Sequence, residues 1–218
     1  MSTMDYAKAR ELMVEQQVRP WEVLDPRVLD VLATLPREDF VPAAQRALAY
    51  TDIALPLPHG ERMMKPVVEG RALQALALDP GDDVLEIGTG SGYLAACLGR
   101  LAREVVSLEQ HADLADDARA RLHALHLGNV NVIHADAFAY QTERRFSAIC
   151  VTAAVDTIPA RFVEWLQPGG RMFVIRGRSP AMEAVLLHND AGRPRIESLF
   201  ETDLPYLAGA APQPVFEF

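Results

Sequence analysis

Asp83-Val84-Leu85-Glu86-Ile87-Gly88-Thr89-Gly90-Ser91-Gly92-Tyr93 is an apolar run that breaks into three glycines at two-residue spacing. The run reads as a strand over 83–87, and the glycines as a tight turn into a helix over 92–101. A loop built this way lets backbone N–H groups approach a ligand closely, because no Cβ intervenes. The helix N-terminus behind it offers free donors to a carboxylate or phosphate.

The residues around the loop narrow the choice of ligand. The dinucleotide fingerprint Gly-x-Gly-x-x-Gly, started at Gly88, needs its third glycine where Tyr93 stands. The acid just before the loop, Glu86, is out of place against a diphosphate and suits a ligand with an amino group. A second apolar run, Glu104-Val105-Val106-Ser107-Leu108-Glu109, ends in an acid about 20 residues on, the place of a residue that takes two ribose hydroxyls. An amino acid end, a ribose and no phosphate describe S-adenosylmethionine. The expected cofactor set is Glu86, Gly88, Thr89, Gly90, Ser91, Gly92, Glu109, Gln110, Asp136, Ala137 and Thr152. Asp136 is placed either to contact the adenine amino group or to cap a helix. Glu-x-Gly-x-Gly-x-Gly resembles motif I of the class I methyltransferases.

Bulk composition excludes several classes. The chain has 218 residues, half of them apolar, and a net charge of −9 from 30 acids against 21 Lys and Arg. With no basic run, electrostatic binding to nucleic acid or anionic lipid is not expected. Cys97 and Cys150 fall in a helix and a strand with no metal-type or redox-type neighbour, and read as reduced core residues. No segment approaches the roughly 18 apolar residues of a membrane span, and residues 1–19 do not read as a signal peptide. The expected location is the cytoplasm.

Helical patterns cover 5–18 and the stretch from Pro26, with Asp25 as N-cap. Residues 50–66 carry Pro56, Pro58, Gly60 and Pro66 and read as a long irregular loop, which is usually functional. A helix follows over 67–78. Strands at 83–87, 104–109, 130–134, 147–151 and 171–175 then alternate with helices at 92–101, 112–126 and 159–166. Two β runs, 182–188 and 195–203, flank the turn Asn189-Asp190-Ala191-Gly192. This pattern predicts an α/β, Rossmann-like class I methyltransferase fold: a mostly parallel seven-stranded sheet with an antiparallel C-terminal hairpin, plus an N-terminal helical extension. Residues 1–66 form the extension and active-site loop, and 67–218 the cofactor-binding domain. Glu86, Glu109, Asp136 and Thr152 all fall at strand ends, where such sheets bind ligands.

Further segments are similar to the protein-L-isoaspartate (D-aspartate) O-methyltransferase family. They are Met13-Val14-Glu15-Gln16-Gln17-Val18-Arg19, Asp25-Pro26-Arg27-Val28-Leu29, Pro36-Arg37-Glu38-Asp39-Phe40-Val41-Pro42 and Ala49-Tyr50-Thr51-Asp52. Val151-Thr152-Ala153-Ala154, Ile158-Pro159 and Leu166-Gln167-Pro168-Gly169-Gly170-Arg171 complete the series. The resemblance implies a protein-repair enzyme that methylates the free α-carboxylate of L-isoaspartyl residues in damaged proteins or peptides, using S-adenosylmethionine. The implied partner is a protein or peptide methyl acceptor; the sequence carries no signal for oligomeric state.

The chain departs from the family at the acceptor segment. Where the family pattern resembles Gly-Gln-Thr-Ile-Ser-x-Pro, this chain has Gly60-Glu61-Arg62-Met63-Met64-Lys65-Pro66. Met64 stands at the position of the family serine, and methionine donates no hydrogen bond. Arg62, Lys65 or Arg176 is then expected to hold the carboxylate, since arginine grips carboxylates bidentately. Three other readings fit the same residues: methylation of another acceptor, a catalytically silent cofactor-binding interaction or regulatory module, and a nicotinamide enzyme, which Tyr93 disfavours. His59 is a candidate for the acceptor site. His123 and His126 share a helix face without further ligands, so no metal site is expected. Trp21 and Trp165 read as packing residues, Tyr93 as packing or flanking the cofactor. The tail Gln213-Pro214-Val215-Phe216-Glu217-Phe218 is apolar enough to dock on a surface, which the sequence does not identify.

Overall fold

A computed structural model describes residues 5–190 and 193–212. The first helix, α1 (Tyr6–Met13), starts at Asp5, whose side chain accepts the Lys8 N–H at 3.1 Å. It widens into a π turn over Val14–Val18 and tightens into a 3-10 turn over Arg19–Trp21. The expected helix over 5–18 is therefore present but irregular. Its end packs hard against a later helix: a Cβ on Gly70 would lie 2.9 Å from Val18 Cγ1. Trp21 is 54% exposed and not a packing residue, because the 3-10 turn directs it outward.

Helix α2 (Pro26–Thr34) is capped by Asp25 and buries Val28, Leu29, Val31 and Leu32, the spacing of an apolar helix face. The segment expected to be irregular holds a small antiparallel ladder of β1 (Leu55–Pro56) and β2 (Arg62–Met63), with Leu55 opposite Met63. Its prolines hid it; proline is tolerated at such an edge. Helix α3 (Pro66–Leu76) follows, its Val67 N–H held by Asp52 Oδ1 at 3.1 Å.

The Rossmann-like part then alternates: β3 (Asp83–Ile87), α4 (Tyr93–Leu101), β4 (Glu104–Glu109), α5 (Ala112–Ala124), β5 (Val130–His134), β6 (Phe146–Val155), α6 (Ala160–Glu164), β7 (Leu166–Arg178), β8 (Ala181–Asp190) and β9 (Arg193–Thr202). The sheet order is β5-β4-β3-β6-β7-β8-β9. Strands β3 to β7 are parallel, and β8 and β9 add antiparallel edges. Strands β6 and β7 outrun their predicted lengths. Pro168-Gly169-Gly170 lies inside β7 as a bulge: Phe146 pairs with Leu166, and Ala148 already with Arg171. Of the β8–β9 turn, Ala191 and Gly192 lie outside the described residues, as does the tail 213–218.

Alternation along β3 sends Val84 to one hydrophobic layer and Leu85 and Ile87 to the other. The first layer also takes Met13, Val18, Leu32, Phe40 and Tyr93, so the N-terminal helices share a core with α4. The second is closed by Phe162 and Trp165. Cys97 and Cys150 are buried and free. Among the described residues no helix is long and apolar enough to cross a membrane.

Candidate active site

The order of the strands reverses between β3 and β6, which opens a crevice beyond their carboxyl ends. Parallel register brings those ends level. Ile87 pairs with Leu108 and with Val151, and Glu109 with His134. One cavity is therefore lined by Gly88, Thr89, Gly90 and Ser91 from the loop, Glu109 at the end of β4 and Gln110 just after it, Asp136 and Ala137 after β5, and Thr152 from β6.

The loop is pinned from several sides. The N–H groups of Gly88 and Thr89 both donate to Leu108 O, at 2.9 and 3.1 Å. The Gly90 N–H donates to Glu109 Oε2 at 2.8 Å, while Glu109 Oε1 accepts the His111 N–H at 3.0 Å. Thr152 Oγ1 donates toward the carbonyls of Ile87 (3.0 Å) and Gly88 (2.6 Å). Gly88 has φ +97, and a Cβ there would sit 2.3 Å from Thr152 Oγ1. Only glycine fits. Asp136 lines the cavity, and its Oδ1 also accepts the Phe138 N–H at 2.8 Å. Asp136 thus faces the cavity while closing a turn over 137–139; no helix begins there for it to cap.

Two expected cofactor residues do not reach the cavity wall. Gly92 caps α4 in the left-handed region, against Ala118. Glu86 is fully buried beneath the loop, because its place on β3 turns it to the α3–α4 side. It accepts a hydrogen bond from Ser107 Oγ, which also bonds Thr89 Oγ1. Burial pushes its carboxyl up to about 8, against the opposing pull of the Ser107 hydrogen bond. Glu86 thus lies beneath the loop and off the cavity wall, with burial favouring its neutral form.

The opposite wall is the segment from Leu57 to Met64. Leu57 sits over the glycine loop, and Gln110 Nε2 reaches across to Glu61 Oε1 at 3.3 Å. Arg62 lines the cavity and is exposed. Met64 lines it too but is 4% exposed and belongs to the core. Its carbonyl accepts Arg37 Nη2 at 2.7 Å. Lys65 and Arg176 lie elsewhere: Lys65 in a neighbouring groove, and Arg176 on another face, paired with Glu183 at 3.2 Å. His59 stacks on His111 at 4.1 Å and contacts Asp113, outside the wall. Tyr93 is buried against Phe40, with the Arg37 guanidinium over its ring at 4.7 Å. It packs and does not flank the ligand.

Sequence reading missed Glu69 and Arg37. Glu69 lines the cavity from α3 and is paired with Arg37; both are almost fully buried. Burial raises the Glu69 carboxyl to about 7, and Arg37 opposes the shift. The available signal was an acid inside the apolar start of α3, Val67-Val68-Glu69-Gly70. Leu204, Pro205 and Leu207 also line the cavity, because their segment is tied to β6 by Ala154 N–H to Pro205 O (2.9 Å) and Leu207 N–H to Ala154 O (2.7 Å). Among the described residues no group of three His, Cys, Asp or Glu side chains is placed to hold a metal.

A glycine cradle that a Cβ would fill, an acid at the end of β4 and an apolar floor match the shape and chemistry of S-adenosylmethionine. Sheet order and site together define a class I methyltransferase. A family model for protein-L-isoaspartate(D-aspartate) O-methyltransferase matches residues 8–196. The protein-L-isoaspartate O-methyltransferase of Koribacter versatilis is 42% identical over 192 residues, covering 86% of this chain and 85% of the relative. That of Methylorubrum extorquens is 42% identical over 195 residues, covering 89% and 85%. The chain belongs to the protein-L-isoaspartate (D-aspartate) O-methyltransferase family. The fold agrees with that of a candidate member from Plasmodium falciparum solved in complex with S-adenosyl-L-homocysteine, with a TM-score of 0.80 at 19% identity, over 94% of this chain and 99% of that one.

Proposed function

We propose that this protein methylates the free carboxylate of L-isoaspartyl residues in damaged proteins or peptides, with S-adenosylmethionine as donor. The observation that carries the reading is one cavity with two unlike walls: a pinned glycine loop with Glu109 on one side, and the Arg62–Met64 segment on the other. Residues 67–218 supply the cofactor wall, and residues 1–66 most of the acceptor wall.

When bound, the cofactor supplies a methyl group on a positively charged sulfur, already activated for direct displacement. Glu109 would take the ribose hydroxyls, Asp136 and Ala137 would border the adenine, and the backbone of Gly88 to Ser91 would hold the amino acid end. Arg62 pairs with the acceptor carboxylate. No residue has to act as general base, because that carboxylate is ionised at pH 7. The walls align the reacting groups and exclude water, effects worth up to roughly 7–11 kcal/mol in well-oriented cases. The cytoplasm is the proposed location, which buried free Cys97 and Cys150 suit.

Met64 favours a second reading, transfer to another acceptor, because it puts an apolar side chain where the family pattern has a hydroxyl. The deciding experiment is transfer of labelled methyl to an isoaspartyl peptide, with the aspartyl peptide as control and cofactor binding measured by calorimetry. Transfer to the isoaspartyl peptide alone is the expected outcome. Cofactor binding without transfer would favour the other acceptor.

A further inference from the structure

Beside the transfer cavity runs a second groove, walled by the segment before α3 and by the segment after β9. Arg62, Leu204 and Pro205 line both spaces, so the two adjoin along a shared wall. Lys65 lines only the groove. Among the described residues neither Arg62 nor Lys65 has an ion-pair or side-chain hydrogen-bond partner. That is notable in a chain with 30 acids against 21 Lys and Arg, where most arginines are paired. The groove's one acid, Asp203, is engaged by Ser179 Oγ at 3.0 Å, and Tyr206 OH donates to Gly177 O at 3.1 Å.

Two unpartnered cations at the mouth of a cavity attract anions, and a peptide that enters it must lay its flanking residues somewhere. Resting on the function proposed above, we infer that this groove is a subsite for an acidic residue beside the isoaspartyl residue of the acceptor, gripped by Lys65. Arg62, on the shared wall, serves the reacting carboxylate. The enzyme thereby selects acidic damaged segments, although its own net charge is negative.

The test uses the full chain with S-adenosylhomocysteine bound and fluorescent isoaspartyl peptides flanked by Glu, Ala or Lys. Anisotropy should show the Glu-flanked peptide bound about fivefold more tightly than the Lys-flanked one, the size of an exposed ion pair. The preference should shrink at high salt. Lys65→Ala should abolish it and leave the affinity for the Ala-flanked peptide unchanged. Lys65 precedes α3 without a side-chain cap bond, so the substitution spares the fold. Equal affinity for all three peptides, or a preference that survives in Lys65→Ala, would overturn the inference. A Lys65-dependent preference without methyl transfer would uphold the groove and sink the proposed reaction. Transfer without any preference would do the reverse.

Discussion

The cofactor wall is made of strand ends in parallel register, tied by backbone hydrogen bonds from Gly88, Thr89 and Gly90 to Leu108 and Glu109. The acceptor wall is a short ladder in which Pro56 pairs with Arg62, near one buried ion pair, Arg37–Glu69. The first depends on backbone geometry, which admits few substitutions. The second depends on side chains, which can be exchanged one at a time while the loop keeps its place. Met64 illustrates that freedom: Arg37 bonds its carbonyl, not its side chain, so the backbone position is held independently of the residue. A protein can thus keep its cofactor while its acceptor changes.

The largest effect is expected where the backbone wall is filled. Gly88→Ala places a Cβ 2.3 Å from Thr152 Oγ1 at φ +97. Thr152 must let go of the Ile87 and Gly88 carbonyls, and an alanine held at this positive φ costs about 1–2 kcal/mol for the backbone alone. Calorimetry should find no binding of S-adenosylhomocysteine. Wild-type affinity would show that the loop does not shape the site. Gly90 is more forgiving: its added Cβ would meet only Leu57 Cδ1, at 3.2 Å.

The next effect separates the two walls by pH. Glu86, under the cofactor loop, has its carboxyl raised to about 8 by burial. Below the ordinary carboxylate range both folded and unfolded chains hold the proton. Above it the unfolded chain ionises first, so the folded state loses stability as pH rises, until the loss is complete near pH 8. Glu86→Gln removes this contribution. Urea unfolding should show the variant matching wild type near pH 4 and exceeding it by a few kcal/mol at pH 8. Glu69, raised to about 7, leaves a residual slope that ends earlier. Parallel pH profiles for the two proteins would mean that Glu86 is charged in the folded state.

The same contrast explains what could be read from the sequence. Strand ends and glycine loop were legible because alternation and positive-φ glycines leave local marks: Ile87, Glu109 and Asp136 fell where the sheet puts them. Glu86 was expected beside the ligand and lies beneath the loop instead, since a continuous apolar strand does not announce which layer a single acid enters. The acceptor wall was harder to read. Pro56 and Pro58 concealed the β1–β2 ladder, and charge made Arg37 and Glu69 look like surface residues. Only tertiary packing, 32 positions apart, buries them together. Arg176 and Lys65 looked equivalent to Arg62 by type, and only the fold separates the three.

The smallest effect, and the most informative about the acceptor wall, is expected from Met64→Ser. The side chain is in the core yet lines the cavity, so its loss removes packing on one side and opens the site on the other. Large-to-small core changes of this kind cost about 2–5 kcal/mol when fully enclosed. Here the cavity relieves part of that, and a fall of several degrees in Tm is expected. The gain is a hydroxyl at a backbone position that Arg37 already fixes. One hydrogen bond to the acceptor is worth about 1 kcal/mol net. Transfer to an isoaspartyl peptide should therefore rise about threefold to fivefold in kcat/KM, with cofactor affinity unchanged. A rise of that size would mean that the acceptor wall differs from the family pattern by one side chain. Unchanged or slower transfer in a folded variant would mean that Glu61, Arg62 and Glu69 form a differently selective wall. The search for the acceptor would then move to other peptide groups that an acid-lined pocket can hold.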